Sequence, residues 1–487
     1  MTNPYLRVRK PVSEESSGLF HITGPSPTGT FFLICGLLLT GYSLPTMGHG
    51  SEIATYAAWG VAVSLGISLF ADFLQGGVPN LIRADVMALF SLYFLTLFEF
   101  LGKQPHFDEI LDARTVPPGV IAVLWGFGGI ALGRHIFNQG VKRYIPVFNQ
   151  AVPSAVMMAI FAGAMIIGYF YQFYNCHFNP FEVFHWYMEP RFTQPWGRGR
   201  LGDAKALVGE LNMLTYLLSP LAGVMFAKRS SYNRLQLALV AFGFLWNLAA
   251  SFLAGTRNVF DSNLVTFMIA YIFALGGKRS YEIVVIVSVC VVLLLVSTRM
   301  MLGFRNIGFT NYISGQAETE QVADKHLFVD MNLWVICGLV DIFPNRAPYL
   351  GAEVPYLALI RPVPRALWHG KPEGMSLSIE DAMGVQGLTL ASSFVGEGYM
   401  TYGNVGVFLF GFFFGGIAGW WSCLATPRNS DLGILIYASG FFATVISMRS
   451  LFVFTTAILP TVAAIIGGSL LIQRLRERRR ARFEGTG

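Results

Sequence analysis

The sequence predicts an all-α polytopic membrane protein of about twelve transmembrane helices, and three observations lead there. The chain is 54% hydrophobic, and Asp, Glu, Lys and Arg make up only 13% of its 487 residues, against roughly 25% in a soluble domain. Apolar runs of spanning length recur along it. Basic residues fall in every second connection between those runs, as they do when Lys and Arg stay on the cytoplasmic side.

A spanning helix needs about 20 mostly apolar residues. Such runs are read at Gly29 to Leu44, Ile53 to Leu74, Leu81 to Leu101, Gly119 to Phe137, Ala151 to Tyr174 and Ala206 to Ala227. Six more follow at Leu235 to Ala254, Val259 to Leu275, Ile283 to Thr298, Gly403 to Leu424, Leu432 to Met448 and Leu451 to Gln473. The basic stretch Arg7-Val-Arg-Lys10 precedes the first run, and no small-residue cleavage site of the secretory type follows it, so that run is read as a span. The organisation is then a cytoplasmic tail over 1–28, nine spans within 29–298, a long outer loop over 299–402, three spans within 403–473 and a basic tail over 474–487.

The orientation follows from the short basic loops. They hold Arg134, Lys142 and Arg143, then Lys228, Arg229 and Arg234, then Lys278 and Arg279, and finally Arg428. With the basic N-terminus and the tail Arg474-Leu-Arg-Glu-Arg-Arg-Arg-Ala-Arg482, they put both termini in the cytoplasm, and an even number of spans agrees. The net charge of +6 is therefore a topological signal and not the footprint of a nucleic-acid partner.

The outer loops run over 102–118, 175–205 and 299–402. Within the last, Met331 to Phe343 is apolar but too short to span, which suits an interfacial or re-entrant helix. Asn175 to Trp196 is similar, and its Phe181, Phe184, Trp186 and Tyr187 suit the headgroup level. Cys35, Cys290 and Cys423 lie in apolar runs, whereas Cys176 and Cys337 fall on the outer side. No C-x-x-C spacing occurs, and two unrelated thiols are expected rather than a bridge.

One set of residues departs from the topology rule. Arg191, Arg198, Arg200, Arg257, Arg305, Arg361, Arg365, Lys371 and Arg449 all fall on the outer side. Long translocated loops tolerate arginine, so solvated or headgroup roles cover about half of these. Arg257 and Arg449 are different, because each sits in a very short turn between adjacent spans, Gly255-Thr-Arg-Asn258 and Ser447-Met-Arg-Ser450. A guanidinium there calls for an anionic partner. A lipid-linked diphosphate matches its forked donors, and an ion pair with Asp261 or Glu397 is the other reading, of nearly equal weight.

Glu397 lies between Gly396 and Gly398 just before an apolar span. A carboxylate in that place serves either as a helix cap, the safer reading from spacing alone, or as a general base at the membrane surface. Pro362-Val-Pro-Arg-Ala-Leu-Trp-His-Gly-Lys-Pro372 presents Arg365 and Lys371 from a proline-stiffened loop beside Trp368. The indole suits either a sugar ring or an interface anchor. The chain has no G-x-x-x-x-G-K-[ST], H-E-x-x-H or G-x-S-x-G motif, and the aspartates in spans are few, with Asp72 and Asp85 near cytoplasmic ends. ATP-driven transport, zinc hydrolysis and a midplane proton relay lose support.

At Gly255-Thr-Arg-Asn258, Phe304-Arg-Asn306, Pro364-Arg-Ala-Leu-Trp368 with Lys371-Pro372, and Gly396-Glu-Gly-Tyr-Met-Thr-Tyr-Gly-Asn-Val-Gly406, the sequence resembles the oligosaccharide repeat-unit polymerases of bacterial surface polysaccharides, the Wzy or O-antigen polymerase family. Spans, long outer loop and motif order agree over most of the chain. His369 stands where that family's pattern leads one to expect proline, and Thr401 where asparagine is common.

The resemblance implies a GT-C-like fold, similar to the C-type membrane glycosyltransferases, in the bacterial inner membrane. It implies transfer of a growing glycan from undecaprenyl diphosphate onto the next lipid-linked repeat unit at the periplasmic face. Glu397 would be the base, and Arg257, Arg305 and Arg449 would steady the departing diphosphate. Arg198, Arg200, Arg365 and Lys371 would hold the second carrier, with Trp368 and Tyr399 against the sugars. The expected partners are undecaprenyl-diphosphate-linked oligosaccharides, membrane lipids, and a chain-length regulator and flippase of the same pathway. No cofactor and no metal are expected. A ligase joining finished glycan to a lipid core would use the same donor, and a glycolipid flippase would need no base at all.

Overall fold

Each of the twelve apolar runs is helical among the described residues. Seven of the helices are long and apolar enough to cross a membrane: Gly50–Gly76, Ala113–Gly133, Ser154–Asn175, Arg234–Leu253, Arg257–Leu275, Ser393–Cys423 and Leu451–Arg478. The other five runs form shorter apolar helices, at Pro27–Tyr42, Ala84–Thr96, Leu211–Ala227, Tyr281–Ser297 and Asp431–Ser447. The fold is thus all-α and of the kind a multi-pass membrane protein has. The computed structural model describes residues 22–45, 48–102, 104–136, 152–190, 193–196, 208–209, 211–276, 280–304, 307–315, 331–363, 367–368, 370–372, 374–384, 390–423 and 431–484.

In chain order the helices that build the bundle and its loops are α1 (Pro27–Tyr42), α2 (Gly50–Gly76), α3 (Ala84–Thr96), α4 (Val116–Gly133), α5 (Ser154–Asn175), α6 (Pro180–Met188), α7 (Leu218–Ala227), α8 (Arg234–Leu253), α9 (Arg257–Leu275), α10 (Ser280–Phe304), α11 (Asn332–Ile342), α12 (Glu353–Ile360), α13 (Ser393–Cys423), α14 (Asp431–Ser447), α15 (Leu451–Ala457) and α16 (Leu459–Glu484). Their ends follow local chemistry. Ser26 caps α1 by accepting the Gly29 N–H, and Asn233 and Gln236 cap α8 reciprocally at 2.8 and 3.0 Å. Gly276 ends α9 with a φ of 57°, open to a residue without Cβ.

The centre of the bundle is built on glycine. Gly126, Gly129 and Gly133 on α4 face Gly411, Gly415 and Gly419 on α13 so closely that a Cβ at any of the last three would strike the carbonyl of Gly126, Ile130 or Arg134. In lipid no hydrophobic force drives helices together, and close backbone approach supplies dispersion contact instead. Of the spanning helices α4 and α9 are the most enclosed, while α5 and α8 are the least. Ile166 on α5 and Leu239 and Leu245 on α8 point outward, as lipid-facing side chains do.

At one end of the bundle four charged side chains form a closed network. Arg83 donates to Asp85 through Nε and Nη2 at 2.9 and 2.8 Å, to Asp72 at 3.1 Å and to the Gly24 carbonyl at 2.5 Å. Arg134 donates to Asp72 at 3.1 Å and also reaches Thr30 and Ser68. Ser422 of α13 donates to Asp85 at 2.9 Å. All four charged side chains are fully shielded from solvent. Arg134 is therefore buried and not a solvated loop cation: it closes the end of α4 against Asp72, because the α4–α13 packing brings that end into the core.

The described part of the long loop packs onto this frame. The apolar stretch expected to be interfacial or re-entrant is α11, and most of it is buried against α4 and α13. The Glu353 carboxylate at the start of α12 accepts both the N–H and the hydroxyl of Ser376. On α6, Phe181 is exposed as expected, but Tyr187 is buried. Its hydroxyl donates to Gln172 and its ring packs against Trp196 and Trp246, so it is enclosed by protein and does not present its ring to lipid. Cys176 and Cys337 are both buried free thiols.

Candidate functional site

Gly396 and Gly398 determine where Glu397 points. α13 is broken at Tyr402 (φ −153°, ψ 37°) and Gly403 (φ 61°, ψ −147°). Across that break its first segment folds back on the second: a Cβ on Gly398 would lie 2.9 Å from the Val407 Cα, and one on Gly406 would strike the Gly398 carbonyl. The span expected to begin at Gly403 thus carries a short helical segment ahead of it, laid against its own start. The Phe394 N–H donates to the Met448 carbonyl at 3.2 Å, tying that segment to the turn between α14 and α15.

Glu397 points into this turn and is only 4% exposed. Its Oε1 accepts the Ser450 hydroxyl at 2.5 Å, and its Oε2 accepts the Leu451 N–H at 2.5 Å. The carboxylate therefore caps α15, a different helix from the one it stands on. Arg361, at the end of α12, acts electrostatically on the same carboxylate. Its guanidinium carbon lies 5.4 Å from the centre of the Phe452 ring.

Arg257 opens α9 and Asp261 follows one turn later. α9 packs on α14, and the Arg257 turn and the Arg449 turn come together at Asp261. Both guanidinium groups act on the Asp261 carboxylate. Asp261, one of the two anionic partners read from the sequence, is thus within the electrostatic reach of both. Its Oδ1 is enclosed and meets no hydrogen-bond donor among the described residues.

Lys371 donates to the carbonyls of Arg361 and Val363 at 2.8 Å each, fixing the backbone that carries Arg361. Trp368 is half-buried, within reach of Gly370. Tyr399 is half-buried too, its ring edge-on to Tyr349 with centroids 6.2 Å apart. Arg198, Arg200, Arg305 and Arg365 lie outside the described residues. The structure brings Glu397, Arg257 and Arg449 to one end of the molecule and adds Arg361, which the sequence marked as an outer-side cation without a role. Ser450 was missed, although its place beside Arg449 in a short polar turn was the available signal.

Among the described residues no three His, Cys, Asp or Glu side chains come together to hold a metal ion. A cavity of about 370 Å³ lies at the other end of the bundle, lined by Leu217, Leu432, Leu435, Ala464 and Leu471 with Arg474 at its edge. Its lining is apolar and it shares no residue with the Glu397 turn.

Residues 206–463 match a family model described as a domain of unknown function, DUF8712. The match takes in Arg257, Asp261, Arg361, Glu397, Arg449 and Ser450, whereas Asp72, Arg83, Asp85 and Arg134 precede it. No curated protein and no solved structure matches the chain. With more than half of its length inside that match, the chain belongs to the DUF8712 family.

Proposed function

We propose that this protein is a membrane glycosyltransferase that polymerises undecaprenyl-diphosphate-linked oligosaccharide repeat units into a surface polysaccharide. The observation that carries this reading is a buried carboxylate, Glu397, held by the Ser450 hydroxyl and the Leu451 N–H beside Arg449 and acted on by Arg361, with Arg257 and Arg449 both acting on Asp261. Transfer from a lipid diphosphate needs two things of a protein. A base must take the proton of the acceptor hydroxyl as its oxygen attacks the anomeric carbon, and cations must stabilise the diphosphate as its bond to that carbon breaks.

Glu397 fits the first task. Arg257, Arg449 and Arg361 fit the second, because a guanidinium keeps its charge and offers paired donors to phosphate oxygens. Arg305, Arg365, Arg198, Arg200 and Lys371 complete the cationic surface for the two lipid carriers, with Trp368 and Tyr399 beside the sugars. No nucleotide sugar is required, since the lipid diphosphate is itself the leaving group.

On this reading the chain spans the bacterial inner membrane twelve times in a GT-C-like arrangement, with both termini in the cytoplasm and the Glu397 turn at the periplasmic face. A flippase and a chain-length regulator of the same pathway are its working partners. The test is gel separation of lipid-linked glycans from a deletion strain. Single repeat units should accumulate, and the wild-type chain but not Glu397→Gln should restore the ladder. Long undecaprenyl-linked polymer persisting in the deletion would overturn the polymerase reading in favour of ligation or export.

A further inference from the structure

We infer that Ser450 is a proton relay between the acceptor hydroxyl and Glu397, an inference that rests on the glycosyltransferase reading of the same turn. Both oxygens of the Glu397 carboxylate are already engaged, Oε2 by the Leu451 N–H and Oε1 by the Ser450 hydroxyl at 2.5 Å. Glu397 is buried, and Ser450 is the member of the pair with exposed surface. A substrate arriving at the turn therefore meets the serine oxygen before the carboxylate.

Ser450 has an ordinary structural task as well: its Oγ accepts the Phe452 N–H at 3.1 Å and so caps α15. Capping uses one lone pair and leaves the proton uncommitted. That proton is directed at Glu397, and a second lone pair remains to accept from an incoming hydroxyl. Arg449 precedes Ser450 in the chain, and Arg361 lies over the ring of Phe452 two residues on, so cationic groups for the leaving diphosphate flank the relay.

The step balances without a further reactant. The acceptor O–H proton passes to Ser450 Oγ as the Ser450 proton passes to Glu397 Oε1. The acceptor oxygen bonds to the anomeric carbon, the carbon–oxygen bond to the diphosphate breaks, and the lipid diphosphate leaves with the electron pair. Glu397 then returns its proton to solvent through the same hydroxyl.

The experiment uses the full chain reconstituted in lipid, with undecaprenyl-diphosphate-linked repeat units isolated from the deletion strain as substrate. Ser450→Asn keeps a capping acceptor but has no hydroxyl, and Ser450→Thr keeps both. Ser450→Asn should lower kcat by roughly 10²-fold, the scale of general-base loss, with KM and thermal stability unchanged, and Ser450→Thr should recover most of the rate. Glu397→Gln should fall as far, and combining it with Ser450→Asn should cost nothing more, because one proton path is being broken twice. If Ser450→Asn turns over at the wild-type rate while Glu397→Gln is inactive, the relay is overturned and the polymerase reading stands. If the wild type elongates nothing, the polymerase reading fails and the relay falls with it.

Discussion

Arg134 and Asp72, 62 positions apart in the chain, meet through Nη1 and Oδ2 at 3.1 Å with both side chains wholly shielded from solvent. The same carboxylate oxygen also accepts from Arg83, whose guanidinium binds Asp85, whose carboxylate in turn accepts from Ser422 of α13. Two positive and two negative charges close on one another. Each guanidinium has several partners, and none of the four charged residues carries an enclosed polar atom without one. A network satisfied on every side is suited to holding helices together and offers no vacancy to a ligand.

Its loss should accordingly be costly and one-sided. Asp72→Asn leaves two buried guanidinium groups with one carboxylate, and breaking a buried pair on one side costs about 3–5 kcal/mol. Thermal unfolding in detergent should show a large fall in midpoint for Asp72→Asn and for Arg134→Met, with much of it regained when both are replaced together. A midpoint within a degree or two of wild type for either single variant would mean that the network contributes nothing to holding α2 and α4.

The glycine contact between α4 and α13 predicts a second, sharply local sensitivity. A Cβ at Gly415 would run into the backbone of Ile130, which cannot swing aside as a side chain can, whereas one at Gly128 on the same α4 would meet nothing within 4 Å. Gly415→Leu should thus exceed the usual overpacking cost of about 1–3 kcal/mol and abolish recoverable folded protein. Gly128→Ala should be neutral or mildly stabilising, by less than about 1 kcal/mol. Size-exclusion profiles and melting of the two variants side by side check this, and equal behaviour would show that the close approach is not structurally required.

Cys176 supplies a third prediction, from a buried thiol. It ends α5 beside α6, where burial and the nearby Glu182 carboxylate push its thiol above the usual range. The thiolate is the reactive form. Maleimide should therefore label Cys176 slowly in the folded protein at pH 7, faster as pH rises beyond the ordinary thiol range, and quickly at pH 7 once SDS unfolds the chain. Equal rates folded and unfolded at pH 7 would contradict the burial.

The helices were legible because membrane burial imposes one local rule, a run of apolar residues of fixed length: each run is helical among the described residues, and seven are long and apolar enough to cross a membrane. Arg257 and Arg449 stood out because a charge in a four-residue turn between apolar runs has few places to go, whereas Glu397, at the end of the long loop, read first as a helix cap and is one, but of α15 rather than of its own helix. The charge network was not. Asp72, Asp85 and Arg134 each look ordinary at the end of an apolar run, and only the packing of α1 to α4 on α13 brings them together. Ser450 was hidden for a related reason: a serine in a polar turn reads as a cap, and its second contact comes from a segment 53 positions away that folds back at Gly403. The burial of Tyr187 was hidden for the opposite reason, since an aromatic residue in a short amphipathic stretch reads as lipid-facing as readily as it reads as core.

Arg257 and Arg449 carry the last prediction, since Asp261 is the residue on which both act. If the pair holds the departing diphosphate, Asp261 is the counter-ion that keeps two like charges close together before substrate arrives. Removing either guanidinium should then lower transfer by roughly 10²–10³-fold, the scale measured for losing one donor to a developing anion. Arg→Lys should not rescue it, because an ammonium lacks the paired donors. Asp261→Asn should act differently, weakening the folded protein by leaving the cations unbalanced while sparing less of the structure at low salt, where charge repulsion is least screened. Turnover of lipid-linked repeat units by Arg257→Lys and Arg449→Lys, read beside the melting of Asp261→Asn at two ionic strengths, separates the two roles. Lysine variants with full activity would reduce the pair to structural partners of Asp261 and move the diphosphate site elsewhere.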